Sequence, residues 1–357
     1  MLASAATTPF RVARALTKRI AKALKRGDSV DGVGVREDED DDDDTDDDDD
    51  ETEDGEDDLA IEMRAKAYVE IYEEIVRRIK ARKDDGGYGK PLVIGVSAPQ
   101  GCGKTTLARA LVGLVRATPR KAVSDVVDGE VAKGRLNAVA LSIDDFYLRG
   151  EEQAAFAAAR PANAMLRHRG NAGTHDLALG TRTLDALGRL NDAGASTSSV
   201  RVPRYDKTAR EGRGDRAPES AWDVVSAPLD VILLEGWMLG FSPIDDDAAL
   251  SKINKDLLDV NEYLRAYESS WWSPGRVDWW VILKVSDPSW VYAWRLEAER
   301  KAHGNKGLSD NQVIDFVDRF MPAYEAYLPK LYAAPPRPAR VISVDSRRGM
   351  GAFVSVE

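Results

Sequence analysis

The amino-acid sequence predicts an α/β fold, a parallel sheet with helices on both faces, and two observations carry that expectation. The first is the stretch VIGVSAPQGCGKTTLARAL (Val93–Leu111). There an apolar run, Leu92–Val96, enters a Gly-rich turn, and Leu107, Leu111, Leu114 and Val115 follow at helical spacing. The second is alternation along the rest of the chain. Apolar, strand-like runs at 137–143, 230–235, 278–285 and 339–344 are separated by helical patterns around 177–190, 248–268, 288–302 and 309–331. Elements in that order bury a sheet between two helical layers. No internal repeat interrupts them, and one domain over residues 59–357 accommodates them all.

The Gly-rich turn has a chemistry of its own. Backbone N–H groups of such a turn, with the N-terminus of the helix that follows, form a cradle for phosphates. Its core, A-P-Q-G-C-G-K-T, is one letter from G-x-x-x-x-G-K-[ST], with Ala98 at the first glycine position. The expectation is a P-loop NTPase fold binding ATP through Gly101, Cys102, Gly103, Lys104, Thr105 and Thr106. Lys104 would reach the β- and γ-phosphates and the Thr105 hydroxyl would hold Mg²⁺. A Gly-rich turn without a ligand is the alternative; the agreement of motif and flanking pattern weighs against it.

The ends of the other strands narrow the chemistry. LSIDDFYL places Asp144 and Asp145 just past an apolar run, where ligands bind in open α/β sheets. A carboxylate there can orient a substrate hydroxyl and accept its proton during attack on a γ-phosphate; an Asp pair that only shapes a turn is the competing reading. DVILLEGW ends an apolar strand in Glu235, the usual place of a second, metal-holding acid. RVPRYDKTAREGRGDR (Arg201–Arg216) carries five arginines and Lys207 with Gly212 and Gly214 as hinges. Such a loop can close as a lid and offset transition-state charge. In RGNAGTHDLAL, Asp176 is a candidate N-cap, and His175 is read equally well as a substrate ligand or a turn residue. Trp290 and Trp294, one helical turn apart, read as core.

Composition bounds the rest. The formal charge of −11 is concentrated at one end. Residues 1–34 carry seven Lys/Arg and two Asp, residues 35–58 carry nineteen Asp/Glu and one Arg, and about +2 remains for 59–357. The body therefore gives no basis for a nucleic-acid partner, and no apolar run is long enough to span a membrane. The single cysteine, Cys102, excludes an intrachain disulfide framework and fits a reducing compartment, with a small filler favoured over a redox role. Residues 1–35 are basic, rich in Ala, Ser and Thr, and free of acid before Asp28, the composition of an organelle transit peptide. Residues 36–58 read as a disordered acidic spacer, and 59–357 as the kinase-like domain opened by a helical stripe from Ile61 to Ile79.

With these pieces in order, the chain resembles the uridine kinases, phosphoribulokinases and bacterial-type pantothenate kinases. The shared marks are the A/G-x4-G-K-[ST] loop, the Asp-x-Phe strand end, a P-x-Y-D segment and the V-I-L-x-E-G strand. Within that group it resembles the plant D-glycerate 3-kinases through SAPQGCGKTTL, SIDDFYL, GNAGTHD, PRYDK…GRGDR, LLEGWMLGF, WRLEAE and MPAYEAYLPKLY, in that order, from about Ala65 to Ala352. Ala172 stands where that family carries Pro. The resemblance implies ATP and Mg²⁺ at Lys104 and Thr105, with Asp144 rather than Asp145 as the hydroxyl-orienting base. It implies Glu235 near the metal and Arg204 and Lys207 in the lid, to which the basic loop itself adds Tyr205, Arg213 and Arg216 as candidates. It also implies a substrate role for His175 and Asp176. The implied reaction converts ATP and D-glycerate to ADP and 3-phosphoglycerate in the chloroplast, by a monomer. A kinase of another small alcohol is the alternative. A GTP-dependent switch fits less well, because the second acidic strand continues Glu-Gly-Trp rather than D-x-x-G and N-K-D-L misses the guanine-reading N-K-x-D.

Overall fold

The computed structural model describes residues 8–26, 55–84, 89–123, 134–192, 199–303 and 308–357. Its helices are α1 (Thr8–Arg26), α2 (Gly55–Asp84), α3 (Lys104–Ala117), α4 (Gly150–Ala158), α5 (Leu177–Gly188), α6 (Asp247–Ile253), α7 (Leu257–Ser270), α8 (Trp290–His303), α9 (Asp310–Asp318) and α10 (Met321–Ala333). Its strands are β1 (Leu92–Ser97), β2 (Ala138–Ser142), β3 (Ser199–Val202), β4 (Tyr205–Asp206), β5 (Asp215–Arg216), β6 (Asp223–Ser226), β7 (Val231–Gly236), β8 (Trp279–Val285), β9 (Ala339–Val344) and β10 (Met350–Val356). The chain divides into two compact units.

One unit takes in the described parts of residues 1–88, 106–138 and 344–352. Its α2 contains the stripe expected from the sequence, with Ala65, Tyr68, Val69, Tyr72, Ile75 and Ile79 buried. The Tyr72 hydroxyl shares a hydrogen bond with the Thr118 hydroxyl at 2.7 Å, so a buried polar tip is satisfied. Helix α1 lies against α2 and buries Leu16 and Ile20. Gly55–Asp58, expected within the acidic spacer, form the first turn of α2, and Asp58 pairs with Lys25 at 2.7 Å. The rest of that spacer, and part of the transit-peptide segment, lie outside the described residues.

The other unit comprises residues 89–105, 139–343 and 353–357 and holds the sheet, in the order β10-β9-β8-β1-β7-β2. Strand β1 pairs in parallel with both β7 and β8, and β7 is buried along its whole length, as its unbroken apolar run requires. Every strand expected from the sequence is present. The pattern at 248–268 resolves into α6 and α7, separated at Asn254, whose side chain accepts from the Asp256 N–H at 2.9 Å. The pattern at 309–331 likewise resolves into α9 and α10. Unexpected were α4, β10 and the two ribbons β3–β6 and β4–β5, which frame the basic loop. Two-residue strands leave too little periodicity to read.

Aromatic packing ties this unit together. In α5, an added Cβ at Gly180 would stand 2.2 Å from the Trp271 ring. Glycine in a helix costs roughly 1 kcal/mol relative to alanine, but overpacking costs about 1–3 kcal/mol. Gly180→Ala is therefore expected to lower the melting temperature despite its better helix propensity. An unchanged or raised Tm in a thermal melt would show that Trp271 yields freely.

Candidate active site

The site grows from adjacent strand ends. Pairing of β1 with β7 sets Val96 opposite Glu235 and brings the start of the Gly-rich loop beside the end of β7. The loop then turns through Gly101 (φ 76°) and Gly103 (φ 92°), left-handed conformations that favour glycine. A Cβ at Gly101 would also strike Trp294 at 2.6 Å, so a tryptophan read as core backs the loop. The Gln100 N–H donates to the Tyr324 hydroxyl at 2.9 Å, fixing the loop to α10. Cys102 is fully buried, as a filler residue would be. Lys104, Thr105 and Thr106 open α3, the two threonines exposed.

Two carboxylates, Glu235 and Asp144, lie within the electrostatic reach of Lys104 on this loop. The Thr105 hydroxyl donates to Glu235 Oε1 at 2.9 Å, while Glu235 Oε2 is buried with no partner among the described residues. Burial raises the Glu235 carboxyl, and Asp144 adds to this, against the pull of Lys104, Thr105 and Lys207. A hydroxyl and an orphaned carboxylate oxygen side by side suit a hard cation that keeps most of its ligands as water and phosphate, as Mg²⁺ does. No group of three His, Cys, Asp or Glu side chains that could hold a metal ion occurs among the described residues.

Asp144 and Asp145 lie on one 3₁₀ turn, Ile143–Phe146, capped by the Ser142 side chain, and they have different roles. Asp145 is consumed by structure. It accepts from Ser142 N (3.3 Å), Tyr205 N (3.2 Å) and Arg204 Nη1 (2.9 Å), although burial still raises its carboxyl. Asp144 accepts from the Tyr147 hydroxyl at 2.8 Å and from Lys207 Nζ at 2.6 Å. Burial alone would raise it, but Lys207 and Lys104 together hold it well below the usual carboxylate range. Lys207 is correspondingly raised, chiefly by Asp144. Lys104 makes no hydrogen bond or ion pair among the described residues, so its ammonium remains available.

The basic loop reaches over these groups through Arg204 and Lys207. Arg204 also holds Asp223 (Nε to Oδ2, 2.8 Å). Arg169, which sequence reasoning passed over, donates to the carbonyls of Lys207, Gly212 and Arg213 and braces the loop. Other expected substrate and lid residues take a different part. Arg216 is buried and donates to the Tyr147 carbonyl (3.0 Å) and Asp176 (3.2 Å). Asp176 in turn caps α5 by accepting from Leu179 N at 2.9 Å. Arg216 Nε is left buried without a partner among the described residues. Arg213 sits exposed at the loop tip, bonded to the Arg210 carbonyl. His175 is buried, stacked on Tyr147 with ring centroids 4.4 Å apart. Tyr147 was missed as well, although its position three residues after Asp144 is the spacing at which side chains align on a 3₁₀ turn.

A Gly-rich loop opening a helix, a buried acid beside its threonine, an aspartate paired with Lys207 and a basic loop meet at the C-terminal ends of the strands, an arrangement that fits a phosphate-loop kinase. Comparison with known proteins agrees. The chain is 47% identical over 266 residues to chloroplastic D-glycerate 3-kinase of Arabidopsis thaliana, covering 73% of this chain and 54% of the plant protein. It is 36% identical over 251 residues to the uncharacterized kinase mug58 of Schizosaccharomyces pombe, covering 67% of this chain and 82% of that one. The solved D-glycerate 3-kinase of Cryptococcus neoformans superposes with a TM-score of 0.65 at 28% identity, covering 79% of this chain and 97% of that one. No protein-family model matches the chain. The chain belongs to the family of phosphate-loop kinases that includes D-glycerate 3-kinase. It spans about half the length of the plant enzyme, at 54%.

Two predictions follow from the division of roles. Asp144→Asn is expected to lower kcat by about 10²–10⁴, the range for a positioned general base, with nucleotide affinity retained. Asp145→Asn, which loosens Arg204 and Tyr205, should act mainly on KM; steady-state kinetics and nucleotide titration of both variants decide, and the reverse pattern would exchange the assignments. The second concerns pH. A depressed Asp144 stays ionised and a raised Lys207 stays protonated from about pH 5 to 9. An acid limb in kcat/KM within that range therefore belongs to Glu235 or Asp145, whose carboxyls are raised by burial and further by the Asp144 charge, and should persist in Asp144→Asn, displaced toward lower pH. A limb that vanishes in that variant would contradict the charge state derived for Asp144.

Proposed function

We propose that this protein transfers the γ-phosphoryl group of ATP to the 3-hydroxyl of D-glycerate, with Mg²⁺, yielding ADP and 3-phosphoglycerate. The observation that carries phosphoryl transfer is the placement of Asp144, charged and held by Tyr147 and Lys207, within the electrostatic field of Lys104. D-glycerate as acceptor is supported by the relatives that bear that activity in their names.

In this mechanism the turn of backbone N–H groups from Gly101 to Thr105 cradles the nucleotide phosphates and Lys104 draws the γ-phosphate toward the acceptor. Thr105 and Glu235 are the residues that would hold Mg²⁺, which when bound offsets the charge on the β- and γ-phosphates. Asp144 accepts a hydrogen bond from the attacking hydroxyl. Its low basicity matches a loose transition state, in which the nucleophile needs orientation more than early deprotonation. Lys207 neutralises Asp144 in the free protein and would offset charge on the transferred phosphoryl oxygens. The Arg204–Asp145 pair (2.9 Å) keeps the loop that carries Lys207 over the site. All these groups come from one chain, so a monomer suffices.

Residues 1–35 serve, in this reading, as a chloroplast transit peptide, supported by their basic, acid-poor composition and by the chloroplastic plant relative. The domain from residue 59 onward carries the activity, and residues 36–58 act as a spacer. The test of function is ADP release from ATP–Mg²⁺ with D-glycerate, L-glycerate, glycerol, uridine and pantothenate. D-glycerate is expected to give the highest kcat/KM by at least about tenfold. Preference for uridine or pantothenate would replace the acceptor, and ADP release independent of every alcohol would replace the reaction class.

A further inference from the structure

His175 is one of three histidines in the chain, and its surroundings determine more than its position. Its ring is enclosed by Tyr147, stacked at 4.4 Å, and by the edges of Tyr267 at 5.5 Å and Trp271 at 5.8 Å. Nδ1 lies 2.8 Å from the Tyr267 hydroxyl. Nε2 is buried and has no partner among the described residues. The Tyr267 hydroxyl is also engaged by the Gly173 N–H, which donates to it at 2.9 Å.

These contacts select one tautomer. A phenol has one hydrogen to give and accepts through its oxygen. With Gly173 donating to that oxygen, the phenolic hydrogen points to Nδ1, which accepts, and the imidazole proton resides on Nε2. The opposite arrangement, with Nδ1–H donating to Tyr267, would strand the phenolic hydrogen and leave Nε2 a bare acceptor, two buried orphans instead of one. Burial also opposes a second proton on the ring, lowering His175 to about 3 against the pull of Asp144, and it raises Tyr267, so the phenol keeps its hydrogen. The result is a neutral ring with one unspent donor. It lies against Tyr147, whose hydroxyl reaches Asp144, and within the electrostatic reach of that carboxylate.

We infer that Tyr267 is a positioning residue that holds His175 as the Nε2–H tautomer, and that this neutral N–H donates to an oxygen of the hydroxy-acid substrate beside the hydroxyl that Asp144 orients. A neutral donor suits this place. A cationic imidazolium would compete with Lys207 for Asp144, whereas a neutral N–H fixes the acceptor without discharging the aspartate. The inference rests on the proposed reaction for the identity of the acceptor, and on the geometry alone for the tautomer.

The test uses the full chain with ¹⁵N-labelled histidine, whose two ring nitrogens report protonation separately in long-range ¹H–¹⁵N spectra. Assignment comes from loss of one of the three signals in His175→Gln. The expected result is a protonated Nε2 and an unprotonated Nδ1 at His175 in the free protein, with the Nε2 signal shifting on addition of D-glycerate. Tyr267→Phe keeps the ring but deletes the hydroxyl. It should mix the tautomers and raise KM for D-glycerate about tenfold, the equivalent of one lost hydrogen bond, with kcat and KM for ATP changed less than about threefold. A protonated Nδ1 in wild type, an Nε2 signal unmoved by saturating acceptor, or Tyr267→Phe with wild-type tautomer and KM would each overturn the inference. If Tyr267→Phe does not fold, the wild-type spectra still decide. If D-glycerate is not phosphorylated, the proposed acceptor fails, and the alcohol that is phosphorylated takes its place in the same spectra.

Discussion

The parallel pairing of β1 with β7 is the constraint on which the site depends. In that register Val96 stands opposite Glu235, so the loop leaving β1 and the acid ending β7 emerge together at the C-terminal ends of the strands. The 2.9 Å bond from the Thr105 hydroxyl to Glu235 is its direct consequence. Neither residue could adjust far without moving a strand whose neighbours are buried on both faces. A one-residue slip would turn Glu235 to the opposite face and bury a carboxylate without partners, a costly outcome. The energy of apolar packing along Val231–Leu234 is thus what holds the acid in place.

Electrostatic balance follows from that placement. Glu235 and Asp144 are brought into one poorly solvated region, where the Asp144 charge adds to burial in raising the Glu235 carboxyl. Lys104 from the nucleotide loop and Lys207 from the basic loop offset this, and Asp144 gains more because it is directly paired. Asp145 is raised by burial and by the Asp144 charge, but its cationic partner is Arg204 rather than a lysine. It spends its oxygens on Ser142, Arg204 and Tyr205 and so couples the turn that presents Asp144 to the loop that presents Lys207. Adjacent identical residues acquire opposite roles because a 3₁₀ turn directs them about 120° apart.

A scaffold of aromatic side chains surrounds the polar groups. Tyr324 holds the nucleotide loop, Tyr147 spans Asp144 and the His175 ring, and Tyr267 and Trp271 close the other side of that ring. Each combines a large rigid surface with one polar tip, which suits positions where a catalytic group must be both dry and oriented. The glycines at 101, 173 and 180 make room for aromatic side chains: an added Cβ would lie 2.6 Å from Trp294 Cβ, 2.7 Å from the Tyr263 ring and 2.2 Å from the Trp271 ring, respectively.

Local spacing by itself determined the strand–loop–helix of the nucleotide site, the strands that end in Asp144 and Glu235, and the basic character of the loop at 201–216. These features are contiguous in the chain, and their periodicities of two and 3.6 are written in the residues themselves. Local spacing did not separate Asp144 from Asp145, nor decide whether His175 was a ligand or a turn residue. It also could not show that Asp176 and Arg216 would spend their charges on each other. Those outcomes rest on contacts such as Lys207 with Asp144, 63 residues apart, and Tyr267 with His175, 92 apart. A partner at that separation is chosen by which strand ends and helix faces the packed core brings together. Only the tertiary structure carries that information, because the hydrophobic burial that selects it is a property of the whole chain.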